Sequence, residues 1–286
     1  MEINGKPKVY GLIGNPVGHT MSPRIHNMLA ELQGVDMVYV PFAVKENLLD
    51  AVTGAYALGV EGLNVTIPYK QEVMQYCTKV DEMAASIGAV NTLIRTPEGY
   101  EGYNTDMSGL YRAFCLHKIE LRGKKIILLG AGGAARAVAM MCVRYGASEL
   151  YLVNRTKERA DAIAEEIRQS ATKCKVNTLL LSEYESIPED RYIAIQCTSV
   201  GLYPNVDEAV IEDNSFYSKI EKGYDLVYRP QETKFMKLVG QAGGEAFNGL
   251  SMLLFQGIIA YELWNHINVS DKMAMRVYEQ LKGEQK

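Results

Sequence analysis

Between residues 125 and 156 the chain reads Lys-Ile-Ile-Leu-Leu-Gly-Ala-Gly-Gly-Ala-Ala-Arg, then an apolar run of helical period, then Glu-Leu-Tyr-Leu-Val-Asn-Arg-Thr. The order is strand, glycine turn, helix, strand. It constrains the fold more than any other stretch, because it is the unit from which a dinucleotide-binding α/β domain is built. Gly130 permits the tight turn, and Gly132 lets the backbone approach a pyrophosphate. Ala135, in the third small position, lets the helix pack closely on the strand. The helix N-terminus then offers N–H groups to an anion. Glycine-rich turns also occur without any nucleotide, but here the elements on both sides supply the context the motif requires.

The second strand of this unit ends in Asn154-Arg155-Thr156, where an NAD-binding chain usually carries an acid that grips the ribose 2′-hydroxyl. Such an acid would repel a 2′-phosphate. Asn, Arg and Thr, with Arg159 one turn on, offer hydrogen bonds and positive charge instead, so the cofactor implied is NADP. The competing reading makes Arg155 and Arg159 solvated residues at a helix start.

A chain of 286 residues is long enough for about two domains. Its net charge of −4 provides no basic field for nucleic acid or an anionic membrane surface. The five cysteines (Cys77, Cys115, Cys142, Cys174, Cys197) are odd in number, widely spaced and form no CxxC pair, and the chain has four histidines. Neither a disulfide framework nor a metal site is expected, and a reducing cytoplasm fits. The first residues lack the apolar core of a signal peptide, and no apolar run approaches the ~20 residues of a membrane span.

Before the nucleotide unit, strands and helices alternate. Strands are expected at 9–14, 36–43 and 62–67, and helices at 22–33 and 47–58. Short helices at 71–76 and 81–87 precede a hairpin over 89–103 that turns at Pro97-Glu98-Gly99, and a helix over 107–118 bridges to the second domain. Later strands fall near 193–197 and 223–227. Helices over 251–266 and 271–282 are expected to return to the first domain. The fold class is therefore α/β with two domains. An N-terminal substrate domain (1–107, completed by 251–286) has a mixed, mainly parallel sheet, and a doubly wound Rossmann domain spans 108–250. The active site is expected in the cleft between domains, where ligand sites commonly lie.

Three polar motifs in the N-terminal half resist a purely structural account. In Gly14-Asn15-Pro16-Val17-Gly18-His19-Thr20-Met21-Ser22-Pro23, Ser22 before Pro23 reads as a helix N-cap. That leaves Thr20 unexplained, and two hydroxyls at a helix N-terminus suit a small carboxylate. In Asn64-Val65-Thr66-Ile67-Pro68-Tyr69-Lys70, Lys70 is either a solvated surface lysine or a proton-transfer group set at a helix start, where the macrodipole disfavours a cation. In the third, Asn91-Thr92 with Asn104-Thr105-Asp106, Asp106 is either a helix cap or the carboxylate that orients Lys70.

Taken in order, Gly-Asn-Pro-Val-Gly-His-Thr-Met-Ser-Pro, Asn-Val-Thr-Ile-Pro-Tyr-Lys, Gly-Ala-Val-Asn-Thr, Asn-Thr-Asp, Gly-Ala-Gly-Gly-Ala and Asn-Arg-Thr resemble the shikimate dehydrogenase family over essentially the whole chain. The resemblance implies an NADP-dependent oxidoreductase of aromatic amino acid biosynthesis that acts on a small-molecule substrate as a monomer or homodimer. It implies that Lys70 and Asp106 form the catalytic pair and that Thr20, Ser22, Thr66, Asn91, Tyr228 and Gln256 hold shikimate. For the cofactor it implies Gly130, Ala131, Gly132, Gly133, Ala134, Asn154, Arg155, Thr156, Arg159, Thr198, Leu226 and Gly249.

Two departures stand out. Thr20-Met21-Ser22 replaces the family's usual Ser-x-Ser, which keeps both hydroxyls but adds a methyl and bears on discrimination between shikimate and the bulkier quinate. Gln196-Cys197-Thr198-Ser199 replaces Asn-Ala-Thr-Ser, with Cys197 expected to be a buried small apolar residue. The rival readings are a quinate/shikimate dehydrogenase with dual substrate use and a non-catalytic Rossmann nucleotide sensor, which would have no need of Lys70 and Asp106.

Overall fold

The computed structural model describes residues 5–170 and 172–284. Its contacts divide the chain into two compact units, Met1–Leu110 with Leu253–Gln280, and Tyr111–Met252 with Leu281–Lys286.

The first unit contains β1 (Lys8–Gly14), α1 (Ser22–Gln33), β2 (Met37–Ala43), α2 (Leu48–Ala57), β3 (Gly62–Val65), a 3₁₀ turn at Glu72–Tyr76 and β4 (Lys79–Val80). It continues with α3 (Glu82–Ile87), β5 (Thr92–Thr96), β6 (Gly99–Tyr103) and the start of α4 (Asp106–Leu116). The sheet order is β2-β1-β3-β5-β6-β4. β1 runs parallel to β2 and β3, whereas β5 runs antiparallel to β3 and β6. The registers Ile13↔Val65, Asn64↔Thr92 and Thr92↔Tyr103 therefore bring the ends of β1, β3 and β6 and the start of β5 to one edge of the sheet. Each polar motif of the N-terminal half is attached at that edge.

One face of this sheet buries Val52, Leu63, Val65, Val73, Val90, Leu93 and Tyr100. Aromatic residues from α1, the strands and the later helix Leu250–Asn265 form a second cluster. Trp264 stacks on Tyr10 at 4.9 Å, and its indole N–H donates to the Leu93 carbonyl at 2.9 Å. Gly62 is required beneath it, because a Cβ there would lie 2.2 Å from Trp264 Nε1. His26 is fully buried and stacks on Tyr39 at 4.2 Å with an interplanar angle of 9°.

The second unit contains β7 (Lys125–Leu129), α5 (Gly133–Arg144), β8 (Glu149–Asn154), α6 (Lys157–Gln169), β9 (Lys175–Leu180) and a 3₁₀ turn at Leu181–Ser186. It goes on through β10 (Tyr192–Gln196), α7 (Asn214–Tyr217), β11 (Ile220–Asp225), α8 (Lys234–Gln241) and β12 (Glu245–Phe247). The chain then closes with α9 (Leu250–Asn265) and α10 (Asp271–Glu284). All six strands are parallel, in the order β12-β11-β10-β7-β8-β9. This is the doubly wound Rossmann order, which reverses between β7 and β10. Strands covered on both faces read as continuous apolar runs, as Ile126–Leu129 and Leu150–Val153 do.

Several boundaries differ from expectation. The unit boundaries fall inside α4 and α9, and Leu281–Lys286 groups with the second unit, where Lys282 lies within electrostatic reach of His117. β3 stops at Val65 because the chain turns through Thr66 to Lys70, and the helix expected at 71–76 is a 3₁₀ turn. β11 runs from Ile220 to Asp225, so Leu226 and Val227 lie past its end. The hairpin turns at Pro97-Glu98 alone, with Gly99 opening β6 at φ 142°. The short edge strands β4 and β12 carry too few residues to show a period. Among the described residues no helix is long and apolar enough to cross a membrane.

Burial lowers the pKa of His26 from its ordinary value to about 3, and that of His117 to about 4. An unfolded chain takes up these protons below pH ~6.5 while the fold does not. The stability they contribute is complete above that pH and is lost as pH falls toward the folded values. We expect the unfolding free energy to drop between pH 6.5 and 5 by about 1.4 kcal/mol per pH unit for each histidine. Urea titrations should show the slope reduced in His26→Phe; an identical slope in the variant would contradict the assignment.

Candidate active site

The polar edge of the first unit is organised by the amide of Asn91. Its Oδ1 accepts from the Thr105 backbone N–H at 2.8 Å and from the Thr92 hydroxyl at 2.9 Å. Its Nδ2 donates to Thr105 Oγ1 at 3.1 Å and to Asp106 Oδ1 at 2.9 Å. The other carboxylate oxygen of Asp106 receives Lys70 Nζ at 2.7 Å. The two side chains are 30% and 24% exposed, so the pair is open to a ligand while held from behind. Asn91 is buried and both its amide hydrogens are engaged, so a substrate contact through Nδ2 would come in place of one of these bonds.

The structural alternatives for three residues do not hold. Asp106 is the first residue of α4, and its own N–H is capped by Asn104 Oδ1 at 3.0 Å, so its carboxylate is not the cap. Ser22 is likewise the first residue of α1 and gives no capping bond; the N-cap is Met21. The Ser22 hydroxyl is buried and lies 3.2 Å from Thr20 Oγ1, so the two hydroxyls are paired. Lys70 is half-buried in the turn after β3, ahead of a 3₁₀ turn of five residues. The macrodipole expected to act on it is minor there; its neighbour Asp106, at the head of the eleven-residue α4, dominates its surroundings.

Thr66 follows β3 and packs against Gly14, where a Cβ would meet the Thr66 methyl at 2.3 Å. Gln256 lies on α9 where that helix crosses α4, because a Cβ on Gly109 would lie 2.6 Å from the Gln256 backbone nitrogen. Its Nε2 donates to the Leu253 carbonyl at 2.9 Å. Thr20, Ser22, Thr66, Lys70, Asn91, Asp106 and Gln256 all belong to the first unit, and Tyr228 belongs to the second.

In the second unit Gly130 adopts φ 113° after β7, and its N–H donates to the Val153 carbonyl at 2.8 Å, which sets the turn beside Asn154. A Cβ on Gly130 would lie 2.9 Å from the Thr198 methyl, so the turn also meets the segment after β10. A Cβ on Gly132 or Gly133 would meet nothing within 4 Å. The space over the turn is open, as close approach of a pyrophosphate requires. α5 starts at Gly133 with no side-chain cap and no acid in its first turn, and Ala131 and Ala134 flank the two glycines. Ala135 is fully buried in the third small position. The motif's Arg136 is bound to Glu166 of α6, with Nε at 2.7 Å, which ties the helices together.

Arg155, Thr156 and Arg159 are exposed beyond β8, and Asn154 Nδ2 folds back onto the Thr156 carbonyl at 2.8 Å. Asn154, Arg155 and Thr156 include no acid. Leu226 and Gly249 touch: a Cβ on Gly249 would lie 2.2 Å from the Leu226 carbonyl oxygen, so packing alone demands glycine there. Cys197 is only partly buried, contrary to expectation; burial nonetheless pushes its thiol pKa up, which suits no nucleophile.

Four polar residues beyond the expected set support these sites. Asn64 and Thr92 are buried at the first-unit edge, and Gln196 and Asp225 at the ends of β10 and β11. Asp225 accepts from Val227 N–H at 2.9 Å, Thr233 Oγ1 at 2.7 Å and Gln196 Nε2 at 3.2 Å, which shapes the turn leading to Tyr228. Burial raises its pKa to about 7. The signal for such residues is a lone amide or acid in a strand otherwise apolar throughout, since a buried polar group must be partnered.

Comparison with known proteins identifies the family. Residues 12–93 match the family model for the shikimate dehydrogenase substrate binding domain, and residues 114–211 match that for shikimate / quinate 5-dehydrogenase. The shikimate dehydrogenase (NADP(+)) of Caldanaerobacter subterraneus subsp. tengcongensis is 41% identical over 99% of this chain and 100% of its own. The crystal structure of shikimate 5-dehydrogenase from Listeria monocytogenes, in complex with shikimate and NAD, is 30% identical with a TM-score of 0.87, covering 98% of each chain. That of the Thermus thermophilus enzyme, in complex with NADP(H) and shikimate, is 28% identical with a TM-score of 0.82, covering 96% of this chain and 99% of its own. The chain belongs to the shikimate dehydrogenase family.

Proposed function

We propose that this chain is an NADP-dependent shikimate dehydrogenase that reversibly reduces 3-dehydroshikimate to shikimate in aromatic amino acid biosynthesis. The observation that carries the reading is the 2.7 Å contact between Lys70 and Asp106, half-open on one side and fixed by Asn91 on the other. The first unit carries the substrate residues other than Tyr228, and the second binds cofactor. Thr20 and Ser22 hold the substrate carboxylate; Thr66, Asn91, Gln256 and Tyr228 hold its hydroxyls. Gly130 to Ala134 receive the pyrophosphate, Asn154, Arg155, Thr156 and Arg159 the 2′-phosphate end, and Thr198, Leu226 and Gly249 the remainder.

Bound NADPH supplies a hydride to the ketone carbon. As the carbonyl π bond opens, Lys70 gives a proton from Nζ to the developing alkoxide and is reprotonated from solvent; oxidation of shikimate reverses these transfers. Asp106 anchors the ammonium so that one N–H faces the reacting oxygen, and its charge stabilises the protonated lysine. Every residue with a role comes from one chain, so a monomer or a homodimer suffices. The small-molecule substrate and cofactor are the only partners the mechanism needs, and five free thiols suit the reducing cytoplasm.

The deciding experiment follows reduced cofactor formed from shikimate and from quinate, with NADP and NAD each supplied. Shikimate with NADP should be the best pair; quinate with NAD as the best pair would overturn both assignments. The added methyl of Thr20 bears on this substrate choice. Lys70→Ala should lower kcat by about 10²–10⁴-fold with a smaller change in KM, because the proton is needed mainly in the transition state. Asp106→Asn should be severely impaired as well; retained turnover in either variant would remove that residue from the chemistry. Charge reversal in Arg155→Glu should weaken NADP more than NAD, and equal weakening would return Arg155 to the solvent.

A further inference from the structure

Behind the Lys70–Asp106 pair runs a continuous line of hydrogen bonds whose polarity is forced by its end groups. Asp106 Oδ1 can only accept, so Asn91 presents Nδ2 to it at 2.9 Å. The same orientation is required by the Thr105 N–H, which can only donate to Asn91 Oδ1. Thr92 must then give its hydroxyl proton to Asn91 Oδ1 at 2.9 Å, and its oxygen accepts from Asn64 Nδ2 at 3.1 Å. Asn64 Nδ2 also donates to the Asn91 backbone carbonyl at 3.3 Å, which fixes its amide the same way. Asn64 Oδ1 therefore accepts, and Tyr39 donates to it at 2.7 Å.

Resting on the function proposed above, we infer that Tyr39 and Thr92 are positioning residues in a one-way donor chain that runs from Tyr39 through Asn64, Thr92 and Asn91 to Asp106. Every dipole in the line points its positive end toward the Asp106 carboxylate, so the line stabilises that charge and, through it, the ammonium of Lys70. Buried Asn64 and Thr92 are screened from water, where such alignment counts most. Lys70 is the charged side chain bonded to Asp106. Packed on Tyr39 are His26, kept neutral by burial, and the uncharged ring of Trp264, with Tyr261 against His26.

The test compares wild type with Thr92→Val, which cuts the line while keeping its shape, with Thr92→Ser, which restores the hydroxyl, and with Tyr39→Phe, which cuts it further out. Thr92→Val should lower kcat about tenfold, the equivalent of one ordinary hydrogen bond lost from the transition state. It should also shift the acidic limb of the kcat–pH profile to higher pH and leave KM for shikimate within about twofold. Thr92→Ser should recover both quantities, and Tyr39→Phe should move the limb in the same direction by less. A lower kcat with an unmoved limb, or a serine variant as impaired as the valine, would overturn the inference. If Thr92→Val does not fold, Tyr39→Phe decides alone: an unmoved limb overturns it. A wild-type enzyme inactive on shikimate with NADP would instead sink the functional reading. The donor chain is then judged by the carbon-13 NMR titration of the Asp106 carboxyl in wild type and the same variants, with a shared midpoint counting against it.

Discussion

One amide, that of Asn91, holds the chemistry of the first unit together. Its oxygen ties down the turn between β6 and α4, and its nitrogen fixes the Asp106 carboxylate, which in turn fixes Lys70. Lys70 and Asp106 are 36 residues apart and arrive on different segments, so neither could place the other without a third group locked to both sheet and helix. Reversal of chain direction at β5 makes this possible. Because β5 runs antiparallel to its neighbours, its start lies level with the ends of β3 and β6.

The second unit solves a different problem, which is how to bring a backbone close to a charged ligand. Gly130 turns the chain and Ala135 sets α5 down on the sheet, while the positions between them leave the approach open. The buried Gln196–Asp225 contact does for this unit what Asn91 does for the first. It joins the ends of two adjacent strands and shapes the segments after each, with an amide nitrogen meeting a carboxylate.

The elements that could be read from sequence were those with a strong period or a special residue. The glycine turn, the helices at the polar motifs and the continuous apolar strands each carry their own local signal. The edge strands β4 and β12 do not, because two or three residues cannot display an alternation. Ser22 illustrates a subtler failure: Ser-Pro resembles a helix cap, yet the helix begins one residue earlier than capping requires, and the hydroxyl is turned to Thr20 instead. Lys70 and Asp106 were legible as chemistry only through their motifs, since their meeting depends on strand direction and register. Asn64 and Thr92 sat in plain view within those motifs, but the polarity of their hydrogen bonds exists only once both strands are paired.

The seating of Trp264 on Gly62 bears on the order in which the molecule assembles. The indole lies on Gly62 at the start of β3 and bonds to a carbonyl 171 residues earlier in the chain, so the sheet of the first unit lacks part of its cover until α9 has been made. Closing so long a loop is entropically costly, and contacts of this separation slow folding. The second unit lies almost wholly within the intervening segment and has its own parallel sheet. During synthesis it can therefore complete its core before the N-terminal half of the chain does, although that half leaves the ribosome first.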